Sequence, residues 1–264
     1  MVRNLFIALA LILATGSKLN ISAACPSGNF AFRNGEVVNF NVYYTVAGIY
    51  VHAGKVSFTT TLTRYSGKPA YHVVGVGNSI PSYDWIYRVR DRYETYIDTS
   101  TMLPLKFIRN VDEGGYKINE TVYFNHEKKY AVSNKGTYTI PSCVQDVLSE
   151  VYLARNMDFD KVSPGTQIPF DLFLDNKVYN VYVRYLGIET IRTRYGTFRT
   201  YKFRPLLLEG SIFKGGEQMT VWVTADKNRL PVRIESPIIV GSIKVDMMSF
   251  SNLRNPLDAL IRKR

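Results

Sequence analysis

The sequence predicts a mainly β fold: a strongly curved antiparallel sheet, or open half-barrel, built from two similar halves with one amphipathic helix between them packing on the sheet. Three observations carry this expectation. The 264 residues include 19 tyrosines and 14 phenylalanines, side chains that pack well on a pleated surface. Segments of alternating polarity are punctuated by turn clusters such as SGKP at 66–69, DEGG at 112–115, DKNR at 226–229 and SP at 236–237, which is the pattern of a meander. The first half of the chain also matches the second.

That internal match has four parts in the same order. GEVVNFNVYY at 35–44 answers to GTQIPFDLFL at 165–174, and TRYSGKPAYHV at 63–73 to TRYGTFRTYKF at 193–203. YIDTSTMLPLKFI at 96–108 answers to VTADKNRLPVRIE at 223–235, setting Asp98, Leu103 and Pro104 against Asp226, Leu230 and Pro231. GYKINETVYF at 115–124 echoes GSIKVDMMSF at 241–250, and the offset drifts only from 130 to 126 residues. Self-similarity at a fixed spacing argues for a duplicated unit, here of five or six strands. In each copy the Asp and Leu-Pro pair reads as a turn whose proline opens the next strand, where a missing N–H does least harm.

Taken in order, residues 1–24 read as a cleaved signal peptide: Arg3, an apolar run over 4–16, then the small residues SAA at 22–24. The apolar stretch from Leu5 to Ala14 falls short of the about 20 residues a membrane span needs. A mature chain over 25–255 is expected to be a single β-rich domain, with half one at about 30–135, a helix at about 142–157, half two at about 163–252 and a basic tail over 256–264. Cleavage after Ala24 removes Arg3 and Lys18, leaving 31 basic against 22 acidic residues and a net charge of +9. Such a charge favours anionic surfaces, lipid headgroups or acidic glycans, and an exported chain seldom meets nucleic acid. The two cysteines, Cys25 and Cys143, leave three readings open: a disulfide, which an exported chain can keep; lipidation of Cys25 as the first mature residue; or two free thiols. Ser22 and Lys18 depart from the usual approach to a lipidated cysteine.

The helix is expected from SCVQDVLSEVYLARNM at 142–157. Ser142 stands as N-cap, Asp146 and Glu150 lie early, and Arg155 lies late, all in the sense of the helix dipole. Val144, Val147, Leu148, Val151 and Tyr152 make one apolar stripe.

Between the turn signals, YDWIYRVRDRYETYID at 83–98 sets the candidate site. Over a strand at 87–98, Tyr87, Val89, Asp91, Tyr93, Thr95 and Ile97 share the inner face, while Arg88, Arg90 and Arg92 share the outer face with Glu94, Tyr96 and Asp98. A carboxylate on an apolar face has to be paired, neutralised or wet, so Asp91 needs a partner. Tyr83, Trp85, Tyr87, Asp91 and Tyr93 are therefore candidate ligand-binding residues, with core packing as the alternative for each. Arg88, Arg90 and Arg92 are candidates for an anion or partner patch, with a solvated outer face as the alternative. His52, His72 and His126 are widely separated and lack metal-ligand spacing, and no G-x-S-x-G elbow, phosphate loop or dinucleotide fingerprint occurs. No catalytic residue, metal or cofactor is assigned, although a hydrolase using Asp91 without a linear motif stays open.

FRNGEVVNFNVYYTVAGIYVHAGKVSF at 32–58, VRDRYETYIDTSTMLPLKFIRNVDEGGYK at 89–117, VLSEVYLARNMDF at 147–159 and VWVTADKNRLPVRIES at 221–236 resemble the exported bacterial family known as domain of unknown function 3108, especially its Bacteroides-type members. The resemblance runs over roughly 30–250 and includes Gly35-Glu36, Ala53-Gly54, the Asp91 to Asp98 strand and the Trp222 to Pro231 hairpin. It implies an envelope protein whose curved sheet partly wraps a helix, similar in outline to bacterial lipoprotein carriers, with no catalytic residues to transfer. The expected function is a non-enzymatic periplasmic or envelope-facing binding protein that holds an apolar or amphiphilic ligand on the concave side of the sheet. The alternative is a scaffolding component that binds a protein or acidic glycan through its basic face.

Overall fold

The computed structural model describes residues 25, 27–46, 49–209, 214–238 and 240–264; the expected leader at 1–24 lies outside the described residues. Strands β1 Val37–Val46, β2 Ile49–Tyr65, β3 Lys68–Ser79, β4 Arg90–Asp98, β5 Pro104–Glu113, β6 Tyr116–Asn125, β7 Tyr130–Ser133 and β8 Gly136–Thr139 precede a short helix, α1 Ser149–Ala154. After it come β9 Gln167–Leu174, β10 Lys177–Arg192, β11 Gly196–Pro205, β12 Leu207–Glu209, β13 Lys214–Gly216, β14 Thr220–Thr224, β15 Pro231–Pro237, β16 Ser242–Ser251 and β17 Leu260–Lys263. Apart from the small β12–β13 ribbon, these form one 15-stranded antiparallel sheet in the order β8-β7-β6-β5-β4-β3-β2-β1-β16-β15-β14-β11-β10-β9, with β17 on β11.

The matched stretches of the two halves fall on corresponding elements of this order. β1 answers to β9, the β2–β3 hairpin to β10–β11, the β4–β5 turn to β14–β15 and β6 to β16. The Asp and Leu-Pro turns share their chemistry. Asp98 Oδ1 accepts the N–H of Ser100, and Asp226 Oδ1 accepts that of Asn228. The residue before each leucine, Met102 or Arg229, has positive φ, and Leu103 and Leu230 are both buried. Pro104 and Pro231 open β5 and β15.

Fifteen twisted strands curl, and here the curl brings the two edges of the sheet towards each other. Asp175, beyond β9, reaches the Arg109–Glu120 ion pair on β5 and β6, and Asn176 meets Ser133 on β7. The sheet stays open, because β8 and β9 do not pair. The segment after β8 enters the gap instead, and Gln145 makes a single parallel bridge to Leu172 through bonds of 2.8 Å to the backbone of Asp171 and Phe173.

This bridge corrects the expected helix at 142–157. Only Ser149–Ala154 is α-helical. Gln145 is extended against β9, and the Asp146 carboxylate accepts the N–H groups of Leu148 and Ser149 at 2.8 and 2.9 Å, so the helix starts there and Ser142 caps nothing. Asp146 is itself buried and takes the Thr95 hydroxyl. Of the expected stripe, Val144, Leu148 and Tyr152 are buried, whereas Val151 is exposed.

The concave face is filled by the protein's own side chains. Phe32, Tyr152, Phe159, Tyr185, Tyr201 and Phe203 pack together with Ile97 and Met102, many in tilted or edge-to-face ring contacts. A second cluster joins Phe40, Phe198, Trp222 and Met247, and a third joins Phe107, Phe124 and Val144 to Phe173 from the opposite edge. Each fully buried ring of this kind contributes about 1.5–3 kcal/mol. Cys25 and Cys143 form a disulfide with Cα atoms 5.4 Å apart, tying the start of the described chain to the segment in the gap.

Candidate functional site

The connection between β3 and β4, residues 80–89, is built by local hydrogen bonds. Pro81 opens a 3-10 turn over Pro81–Tyr83. The N–H of Tyr83 bonds to Ile80 O, and those of Ile86 and Tyr87 bond to Tyr83 O. The Asp84 carboxylate accepts the Ser79 hydroxyl and the Arg90 guanidinium, and Val89 N–H donates to Ser79 Oγ at 2.9 Å. Those two partners, Ser79 first, hold the Asp84 carboxyl below its ordinary value. Trp85 Nε1 donates to Ser82 O at 3.0 Å.

A loop locked in this way turns its apolar side chains to solvent. Trp85 is 83% exposed and Ile86 62%, and Tyr83 and Tyr87 are exposed beside them. The neighbouring β5–β6 turn is held against it by Gly114 N–H donating to Arg88 O at 2.8 Å. Gly114 has φ +57°, and a Cβ there would lie 2.4 Å from the Tyr87 ring, so this close approach requires glycine. Between loop and turn lies a cleft of about 390 Å³ bounded by Asp84, Trp85, Ile86, Tyr87, Arg88, Asp112, Gly114, Gly115 and Lys117.

Below the loop, the expected facing residues divide. β4 begins at Arg90, not at 87, so strand alternation governs Tyr93, Thr95 and Ile97, which point inward, but not Tyr83, Trp85 or Tyr87. Tyr93 packs towards Phe107, and burial, reinforced by Asp91, pushes its hydroxyl up to about 12. Asp91 is half-buried and accepts the N–H of Asp112 at 3.2 Å. Its second partner is Glu113, whose carboxyl is pushed up to about 7 by burial and by the hydrogen bond and charge of Asp91. In the sequence, Glu113 reads as part of the DEGG turn at 112–115. Only the Val89–Glu113 bridge brings it beside Asp91, and that pairing follows from strand register rather than from any local pattern.

The outer arginines each meet an acid of the same chain. Arg90 holds Asp84, Arg92 Nε lies 2.7 Å from Glu94, and Arg88 lies 3.9 Å from Asp112. Glu94 also takes His72 Nε2 at 2.7 Å. Arg88 alone of the three stands in the cleft lining. Among the described residues, no group of three or more His, Cys, Asp or Glu side chains is placed to hold a metal ion, and no helix is long and apolar enough to cross a membrane.

The Glu113 carboxyl makes stability depend on pH. Its value in the folded chain lies above its ordinary 4.5, so the stabilisation is complete below about pH 4.5 and is lost as pH rises towards 7. Glu113→Gln is expected to match the parent in urea unfolding at pH 4 and to exceed it at pH 8 by about 1 kcal/mol, a figure reduced for solvent screening of a half-exposed group.

An open, barrel-like antiparallel sheet with a filled interior and a structured, aromatic rim defines the class of protein. The chain belongs to the family described as protein of unknown function (DUF3108), whose sequence model matches residues 39–248. The chain matches no curated protein. Among solved structures, it is similar to a β-barrel-like protein of domain of unknown function DUF1849 from Brucella abortus, with TM-score 0.53, 10% identity, and coverage of 84% of this chain and 99% of that one. A candidate lipoprotein from Parabacteroides distasonis aligns at TM-score 0.39 with 14% identity over 86% of this chain and all of its own. A candidate exported protein with a YmcC-like fold from Bacteroides fragilis aligns at 0.34 with 13% identity over 86% of this chain and 100% of that one.

Proposed function

We propose that the protein is an exported component of the cell envelope that binds an amphiphilic, lipid-like ligand without catalysing a reaction, and that it does so at the cleft between loop 80–89 and the β5–β6 turn. The carrying observation is the display of Trp85, Ile86 and Tyr87 to solvent by a loop braced by its own hydrogen bonds. An apolar tail has these three side chains to lie against, while Arg88 and Lys117 stand in the same lining for a charged head. The cleft lining is itself largely polar, with Asp84 and Asp112 beside the two cations, so the apolar contact comes from Trp85, Ile86 and Tyr87 at its edge. The concave face, where the resemblance to carriers would put a ligand, is occupied by Phe32, Tyr152, Phe159 and their neighbours, which moves the reading to the rim. The leader-like residues 1–24 and the Cys25–Cys143 bridge favour an oxidising compartment such as the periplasm.

Tryptophan emission tests this directly. The chain has two tryptophans; Trp222 is buried with its Nε1 on Glu189, and Trp85 is in water. Adding monomeric lysophosphatidylglycerol is expected to shift emission to the blue, saturably. Trp85→Ala should abolish the shift and weaken binding about tenfold, the order expected for losing one aromatic contact. Emission that stays fixed up to the micelle threshold overturns the proposal.

A further inference from the structure

In an antiparallel meander, alternate connections lie at one end of the sheet. The β1–β2 turn, loop 80–89 and the β5–β6 turn therefore share an end, and the β15–β16 turn joins them because β16 runs antiparallel beside β1, pairing Ser242 with Thr45. Backbone and side-chain contacts make the row continuous. Gly114 bonds to Arg88, Ile80 N–H bonds to Ala53 O at 2.9 Å, and Tyr44 Oη donates to Val240 O at 3.0 Å. A large apolar side chain is exposed at or beside each of these connections: Tyr116 at the start of β6 at 62%, Trp85 in loop 80–89 at 83%, Ile49 at the start of β2 at 62% and Val240 before β16 at 60%.

We infer that this end of the sheet docks edge-on against a lipid bilayer carrying anionic headgroups, with Ile49, Trp85, Ile86, Tyr116 and Val240 entering the interface. The inference rests on the reading of loop 80–89 as lipid-facing and extends it from one ligand to a surface. Trp and Tyr prefer the headgroup layer because their rings are apolar with a polar edge, and separate apolar tips standing on turns suit a soft surface better than a rigid partner. The basic side chains are the more accessible ones here: Lys55, Arg88 and Lys117 are exposed, whereas Asp84, Asp91, Asp112 and Glu113 are half-buried. The loop's internally bonded N–H groups reduce the cost of leaving water.

Binding of the full mature protein to phosphatidylcholine vesicles with and without phosphatidylglycerol, read by co-sedimentation and Trp85 emission, tests the inference. The expected result is binding that strengthens with phosphatidylglycerol and weakens at least about tenfold in Ile49→Asp and in Val240→Asp. Both substitutions lie outside the cleft at exposed positions, so unchanged thermal unfolding and unchanged lysophosphatidylglycerol binding should accompany the loss. Vesicle binding that is absent, indifferent to phosphatidylglycerol, or unaltered by both substitutions overturns the inference, and leaves the cleft reading standing if the lysolipid still shifts Trp85. A rim that pairs two copies of the chain without lipid, seen as a doubled mass in light scattering that Ile49→Asp abolishes, also overturns it. Emission fixed against vesicles and lysolipid alike removes both readings.

Discussion

Arg155→Ala is expected to destabilise the fold by about 3–5 kcal/mol, because it strands a carboxylate in the core. Arg155 sits at the end of α1 and is buried, as is Glu36. The two are joined by a paired contact, Nη1 to Oε1 at 2.6 Å and Nη2 to Oε2 at 2.9 Å. Arg155 Nε donates to Asn228 O at 3.0 Å, and the guanidinium lies over the rings of Phe32 and Tyr152. One side chain thus ties α1 to the residues preceding β1 and to the Asp226 turn before β15. Arg155→Lys is not expected to rescue it, since an ammonium cannot reproduce two parallel bonds and a carbonyl contact from one plane. The double change Glu36→Leu with Arg155→Met separates pairing from burial: replacing a buried pair by apolar groups is often close to neutral, so most of the loss should return. Equilibrium urea unfolding measures all three variants. A loss below about 1 kcal/mol for Arg155→Ala would show that water reaches Glu36.

The same residue shows what was legible in the sequence. Arg155 reads there as a favourable charge near a helix end, a local role, whereas its partner Glu36 lies 119 residues away and no spacing rule connects them. Turn chemistry is local, and it was readable: the Asp98 and Asp226 turns, with Pro104 and Pro231 opening strands, stand where the paired patterns put them. The helix at 142–157 was only partly readable. Its apolar periodicity is real, but Gln145 finds hydrogen-bond partners on β9, and that competition is invisible without the distant strand. At the rim, Tyr87 is expected on the inner face of a strand at 87–98, and Tyr83 and Trp85 are aromatics just before it. The Ser79, Asp84 and Arg90 lock pulls the chain out of that strand before Arg90, so these side chains emerge in solvent rather than on an inner face. Ile86 and Glu113 were missed, the first because it fell between aromatics, the second because only register places it beside Asp91.

Removing the Cys25–Cys143 bridge should have the other large effect, and by a different route. The bridge closes a separation of 118 residues, for which loop-closure entropy gives about 5 kcal/mol of stabilisation through restriction of the unfolded chain. The realised loss in Cys25→Ser with Cys143→Ser should be smaller, about 2–4 kcal/mol, because the residues after Cys25 are held independently. Asn156 Oδ1 accepts the N–H groups of Phe30 and Ala31 at 2.8 and 3.2 Å, and Asn29 Oδ1 accepts that of Phe32. If the bridge acts mainly on the unfolded state, its removal slows folding and leaves the unfolding rate nearly unchanged, whereas loss of a native contact would speed unfolding. Stopped-flow kinetics with and without reductant distinguish the two. The bridge also bears on whether Cys25 can carry an acyl anchor, because a Cys25 sulfur bonded to Cys143 has no valence left for an acyl-bearing thioether. Intact mass under non-reducing conditions should show a chain lighter by two hydrogens than its reduced form. An acyl adduct on Cys25 would overturn the bridge and place a lipid anchor at that residue.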